Sequence, residues 1–345
     1  MVSGWLTHSG SAARLRPSRT RWESRMSVLV TGSVAVDHIM NFQDHFRNHF
    51  VSDKLEKLNV AFHVPSMSKQ FGGTGGNIAF NLRRLGIDPI LLASVGSDLG
   101  AYAVWMDQHG VRRDHLRVLE DEYTAAAFIT TDESNNQIIS FHPGAMDRAH
   151  EARVSDVTEP FSVGIVSPNG RQAMIEYARD LKARGVHCVV DPGQGLPILE
   201  AEELLTALTG ASVYIVNDYE WELTRQKTGL DEDAIAERVG ALVITRGEEG
   251  SFLRRGGHDA GLRMEVDRLD VAPIEAPEVV DPTGCGDSYR AGLLYAIAKD
   301  LPLETGARLG SLMGSLKVAR RGPQSIDLEL DEIRSLYEKE YGESF

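Results

Sequence analysis

Short β-branched apolar runs recur along the chain, with helical stretches between them. The clearest are Val28–Thr31, Ile90–Val95, Val163–Val166, Cys188–Val190, Val213–Val216 and Leu242–Thr245. Residues Asn77–Leu85 carry helical spacing, with Ile78, Leu82 and Leu85 on one face and Gly86 as a stop. Asp287–Lys299 reads as a second helix, ended by Asp300-Leu301-Pro302. Such alternation predicts an α/β fold with a mostly parallel central sheet and helices on both faces. Two segments break it, about 41–71 and 122–145, which are rich in aromatic and β-branched residues and lack a long helical pattern. The second reads as a hairpin: Thr124–Thr131, a polar turn at Asp132-Glu133-Ser134-Asn135-Asn136, then Gln137–His142. Ligands of open parallel sheets sit beyond the carboxyl ends of the strands, so a small β flap there would serve as a lid.

With 345 residues, 42% hydrophobic and 25% charged, the chain can bury a full core. Its net charge of -14 argues against a nucleic-acid partner. No apolar run approaches the ~18 residues of a membrane span, so no membrane partner is expected. Two distant cysteines, Cys188 and Cys285, fit a reducing cytoplasm better than a disulfide framework or a zinc site. Residues 1–25 stand apart. Five arginines and one acid give them +4, which leaves -18 for the remainder. They are expected to be a disordered or non-native extension, with an organelle transit peptide as the rival account. Residues 26–345 then form a single domain, as a monomer or homodimer.

Two motifs carry chemistry. Asp281-Pro282-Thr283-Gly284-Cys285-Gly286-Asp287 directly precedes an apolar helix. Amides at a helix start have no internal partner, and with the helix dipole they suit a transferring phosphoryl group. Asp287 falls in that first turn, as a reactive acid or as a capping one. Phe71-Gly72-Gly73-Thr74-Gly75-Gly76-Asn77 leads into the first amphipathic helix. There the backbone can approach a ligand closely, and Asn77 offers a donor and an acceptor to sugar hydroxyls, unless it only caps the helix.

Together these motifs resemble the two signatures of the PfkB carbohydrate kinases, also called ribokinase-like kinases. The resemblance runs from about Met26 to about Glu338. Asn217-Asp218-Tyr219-Glu220 is similar to the family's N-x-x-E motif, and Thr245-Arg246-Gly247-Glu248-Glu249-Gly250 to its T-K-G-x-x-G turn. Arg246 stands where many relatives have Lys, and Cys285 replaces a usual Ala. A thiol at a helix start has either a lowered pKa and a redox role or an inert filling role.

The resemblance implies a ribokinase-like fold and an ATP-dependent phosphotransferase. Asp287 would be the general base, with Gly284, Cys285 and Gly286 holding the phosphoryl group. Asn217, Thr245, Arg246, Gly247 and Gly250 would bind ATP. Glu220 would organise Mg2+ through water, and a K+ requirement is left open. Gly72, Gly73 and Asn77 would hold the substrate, and Asp37 would accept hydrogen bonds from two ribose hydroxyls, with a turn acid as its alternative.

The hairpin from Tyr123 to Met146 contains no Lys or Arg for a sugar phosphate and offers Phe128, Phe141 and His142 instead. Phe42, Phe62 and Phe71 add aromatic faces that could stack on a purine. The string Gln137–Met146 also resembles a bacterial adenosine or nucleoside kinase branch. The expected reaction is therefore phosphorylation of the adenosine 5'-hydroxyl to AMP. A ribokinase- or fructokinase-like sugar kinase is the alternative, and a silent nucleotide-binding regulator a third reading.

Overall fold

The β-branched runs form strands that alternate their side chains between two cores. Val28 and Val30 face one helical layer and Leu29 the other; Val213 and Ile215 oppose Tyr214 and Val216 in the same way. The computed structural model describes residues 27–50, 60–134 and 136–345. The extension expected over residues 1–25 lies outside the described residues, as do 51–59 of the first lid segment and Asn135 of the hairpin turn.

In chain order the elements are β1 (Ser27–Thr31), β2 (Ala35–Asn41), β3 (Ser66–Gly72), α1 (Thr74–Arg84), β4 (Ile90–Gly96), α2 (Gly100–Gln108) and β5 (Leu116–Leu119). The lid strands β6 (Ala125–Thr131) and β7 (Gln137–His142) follow, then β8 (Phe161–Val166), α3 (Arg171–Ala183), β9 (His187–Val190) and α4 (Ala201–Leu208). The chain continues through β10 (Val213–Asn217), α5 (Asp218–Thr228), α6 (Glu232–Ala236), β11 (Ala241–Thr245), β12 (Ser251–Arg255) and β13 (Arg268–Val271). It ends with α7 (Cys285–Ala298), α8 (Leu303–Val318) and α9 (Leu330–Tyr341).

The large sheet runs β13-β12-β11-β10-β9-β8-β1-β4-β5. Its strands from β5 to β11 are parallel, and β12 and β13 finish one edge as antiparallel ribbons. The carboxyl ends of the parallel strands therefore share one rim. Helices α1, α7 and α8 cover one face, and α3 and α4 the other. No described helix is long and apolar enough to cross a membrane.

A second sheet, ordered β3-β2-β6-β7, forms the lid. The hairpin expected at 124–142 is β6 and β7, paired antiparallel. The first lid segment differs from expectation. Its strands lie on the flanks of 41–71, and Asp37 belongs to the lid strand β2 rather than to the first strand of the body. Both motif helices also begin earlier than their apolar periodicity suggests, α1 at Thr74 and α7 at Cys285. Glycine-rich first turns carry no apolar stripe, so periodicity alone cannot register them.

Candidate active site

The loop before α7 is clamped at several points. Asp281 accepts hydrogen bonds from the Thr283 amide (2.9 Å) and the Gly322 amide (2.8 Å) through its two carboxylate oxygens. The fully buried Lys317 donates to the carbonyls of Asp281 (2.8 Å) and Arg320 (2.9 Å). Gly284 then caps α7 with φ +82°, where a side chain would be strained, and its added Cβ would lie 2.8 Å from Pro323. Among the described residues the amides of Gly284, Gly286 and Asp287 have no protein acceptor, whereas the Cys285 amide already donates to the Pro282 carbonyl at 3.2 Å. The amides without an acceptor therefore differ from the expected set: the Asp287 amide joins those of Gly284 and Gly286, and that of Cys285 already has a partner.

Asp287 makes no side-chain cap. Its Oδ2 instead accepts from Asn77 Nδ2 at 2.8 Å. Burial pushes its carboxyl up to about 6, opposed by the Asn77 bond and Arg290 and assisted by Asp191 and Glu220. Arg290, one turn further along α7, is buried against Asp191 through two bonds of 2.5 and 2.7 Å, and also donates to the Gly286 carbonyl at 3.2 Å. That pair ties the start of α7 to the end of β9. Cys285 departs from the reactive alternative: burial pushes its thiol up to about 11, which keeps it protonated near neutral pH.

The start of α1 looks similar in sequence but is chemically closed. The Thr74 amide donates to Ser33 Oγ (3.0 Å), and the Gly75 and Gly76 amides donate to the Ser33 carbonyl (2.9 and 3.2 Å). Those donors serve the turn between β1 and β2, so the glycine run does not make a second anion hole. Gly73 is the N-cap, which removes Asn77 as a cap and places it one turn inside the helix. Gly76 is required by close approach, because a Cβ there would lie 2.2 Å from the Tyr102 hydroxyl. Asn77 Oδ1 accepts from Gln324 Nε2 at 3.1 Å, completing a buried polar cluster under Asp287.

On the lid, pairing register decides which side chains share a face. Asp37 pairs with Gln70 and Ala127, and Ala127 pairs with Phe141. Asp37 and Phe141 therefore share one face. A Cβ on Gly72, on that same face, would lie 3.4 Å from Asp37 Oδ2 and 3.7 Å from Pro323, a residue after α8 that also packs against Gly284. Burial pushes the Asp37 carboxyl up. Phe128 lies on the opposite face, stacked on His38 with centroids 4.8 Å apart. Phe128 and Phe141, both expected at the substrate, therefore lie on opposite faces of the lid sheet. His142, too, falls on the Phe128 side. Phe42 and Phe62 pack against each other and Phe46, and Phe71 stacks on Tyr102 at 4.6 Å. These three rings are packing residues.

The expected nucleotide-side residues lie at the ends of β10 and β11. Asn217 and Glu220 form a reciprocal capping box, with Asn217 Oδ1 accepting from the Glu220 amide (2.7 Å) and Glu220 Oε2 from the Asn217 amide (2.8 Å). Burial, and then Asp191, raise the Glu220 carboxyl. Thr245 ends β11; Arg246, Gly247 and Gly250 form the turn into β12. Arg246 reaches Asp270 at 2.5 Å. Among the described residues there is no group of three or more metal-ligating side chains. Gln324, Tyr102, Arg290, Asp191 and Lys317 escaped the sequence reading. Only two left a local signal: Asp191 directly follows an apolar strand, and Arg290 interrupts an apolar helix.

Comparison with known proteins bears out the fold. A family model described as pfkB family carbohydrate kinase matches residues 27–330. The structure of Burkholderia thailandensis nucleoside kinase in complex with inosine is 41% identical, with a TM-score of 0.80, covering 92% of this chain and 99% of that one. The same enzyme in complex with ADP-inosine gives a TM-score of 0.76. The nucleoside kinase of Methanocaldococcus jannaschii is 30% identical over 317 residues, covering 90% of this chain and 97% of that protein. Its crystal structure superposes with a TM-score of 0.78.

Proposed function

The chain belongs to the pfkB family of carbohydrate kinases, and from that premise we propose that it transfers the γ-phosphoryl group of ATP to the 5'-hydroxyl of a purine nucleoside, adenosine first. The observation that carries this reading is the Asp287 carboxylate, held by Asn77 in the first turn of α7 beside amides that have no acceptor among the described residues. The 41% identity to an enzyme whose structure holds inosine supports a nucleoside over a free sugar and makes inosine the competing substrate.

Asp287 takes the proton of the attacking hydroxyl as the bond to phosphorus forms. The amides of Gly284, Gly286 and Asp287 face the charge that spreads over the phosphoryl oxygens. Asp37 accepts from the ribose diol, and Phe141 covers the base. Glu220 keeps one carboxylate oxygen outside its capping box, which fits a magnesium ion held through water and brought by the nucleotide. Bound there, magnesium would neutralise phosphate charge. K+ fits less well. An ion beside the α7 loop would compete with the Lys317 ammonium for the Asp281 and Arg320 carbonyls, so turnover is expected without it.

The test is ADP release from Mg-ATP with adenosine, inosine, guanosine, cytidine, ribose and fructose. Purine nucleosides should exceed both free sugars by at least about 100-fold in kcat/KM, because a buried site built for hydrogen bonds and a base discriminates sharply. Preference for ribose or fructose would favour the sugar-kinase alternative. No ADP with any acceptor would favour a silent regulator.

A further inference from the structure

Beneath Asp287 four polar side chains are joined in a row whose direction is fixed at both ends. Trp105 Nε1 donates to Gln324 Oε1 at 2.8 Å. An indole N–H can only donate, so Gln324 must turn its amide nitrogen the other way. That nitrogen donates to Asn77 Oδ1 at 3.1 Å and to the Tyr102 hydroxyl at 2.5 Å. The Tyr102 hydroxyl in turn donates a hydrogen bond to the Gly72 carbonyl at 2.8 Å. With Oδ1 occupied, Asn77 presents Nδ2 to Asp287 Oδ2 at 2.8 Å. An ionised carboxylate can only accept, so the far end demands the same direction. Reversing either amide sets oxygen against oxygen or N–H against N–H within a buried cluster.

We propose that Gln324, oriented by Trp105 and Tyr102, is a positioning residue that locks the Asn77 amide with its NH2 group toward Asp287, leaving that group's second N–H for a substrate hydroxyl. The proposal rests on Asp287 as the base. Its residues come from α1, α2, α7 and the turn after α8, so the relay also couples the catalytic turn to the root of the lid at Gly72. Gln324 touches neither reacting atom and acts through Asn77. A free Asn77 amide would spend part of its time with Oδ1 against Asp287, and losing the donated bond raises a carboxylate pKa.

Asp287 is also faced by Arg290 on its own helix, Asp191 after β9, Glu220 on α5, and the Cys285 thiol and Tyr102 phenol. The test variants must therefore be neutral. Gln324→Met keeps the volume and removes both ends of the relay at that position, whereas Trp105→Phe removes only the orienting donor. Two readouts are taken: the acid limb of kcat/KM against pH, and the titration of the Asp287 carboxyl by 13C NMR in the ligand-free protein. Gln324→Met should move both upward by about one pH unit, since one unit corresponds to about 1.4 kcal/mol, the scale of a single hydrogen bond to a charged group. Trp105→Phe should move them in the same direction by less. The double variant should move no further than Gln324→Met alone, because Trp105 acts only through Gln324.

Unchanged acid limb and titration in both single variants, even with a lowered Tm, would overturn the relay and leave Gln324 a packing residue. Additive shifts in the double variant would also overturn it. Asp287→Asn, measured in the same assay, separates the two claims. If it keeps parental turnover the base reading fails, while the carboxyl titration still judges the relay in the ligand-free protein. Should Gln324→Met fail to fold, Trp105→Phe decides alone: a shift upholds the relay and no shift overturns it.

Discussion

At the scale of single residues, two buried cations hold the start of α7 in place by different means. Arg290 is neutralised by Asp191 in a two-bond pair, whereas Lys317 is satisfied by carbonyl dipoles at the mouth of the Asp281–Asp287 loop. Lys317→Met removes two charge-assisted bonds and leaves two carbonyls short of a donor. It should lower stability by about 2–4 kcal/mol and reduce turnover, read as a fall in Tm alongside kcat. Stability within about 0.5 kcal/mol of the parent would show that these carbonyls are satisfied without the ammonium. Neither cation's partner was legible in the sequence. Asp287 was, because its string lies within seven residues; Gln324 was not, because its contact with Asn77 spans 247 positions and a lone Gln carries no local pattern.

At the scale of elements, the two motif helices show why similar glycine-rich starts do different work. The first-turn amides of α1 are consumed by Ser33, while α7 emerges from a loop whose own bonds point elsewhere. Spacing could not distinguish them, since the difference lies in what the preceding turn brings to each helix end. The lid makes the same point about register. Alternation predicted β6 and β7, but which face each ring takes depends on the number of residues in the turn, and a shift of one would exchange the faces. Phe141 shares the face of Asp37, and Phe128 does not. Phe141→Ala should accordingly raise the KM for adenosine about ten-fold, within the roughly 1–3 kcal/mol of a base–aromatic stack. Phe128→Ala should leave that KM within about two-fold. The reverse order in steady-state kinetics would place the base on the other face of the lid.

At the scale of the whole molecule, parallel strands deliver Ser33, Asp191, Asn217 and Thr245 to one rim, with α7 laid beneath it and the lid sheet joined to the body at Gly72 and Ala35. Alternation of strands and helices made that architecture legible. The chain-distant pairing of Asn77 with Asp287, 210 positions apart, exists only once the sheet is closed. The central claim is that this assembly turns Asp287 into a base. Its raised folded-state pKa has a cost: the carboxyl favours the native state fully below its ordinary value near 3.8, and that contribution is lost as pH rises through about 6. Asp287→Asn should therefore be more stable than the parent at pH 7.5, by up to about 3 kcal/mol, while losing the proton acceptor. The most direct measurement is kcat for Asp287→Asn in a coupled ADP assay at pH 7.5, with ATP and adenosine affinities by calorimetry on the same sample. We predict a fall of about 10²–10⁴ in kcat, the usual contribution of a positioned general base, with both ligands bound within a few-fold of the parent. Near-parental kcat, or loss of binding and stability together, would contradict the account.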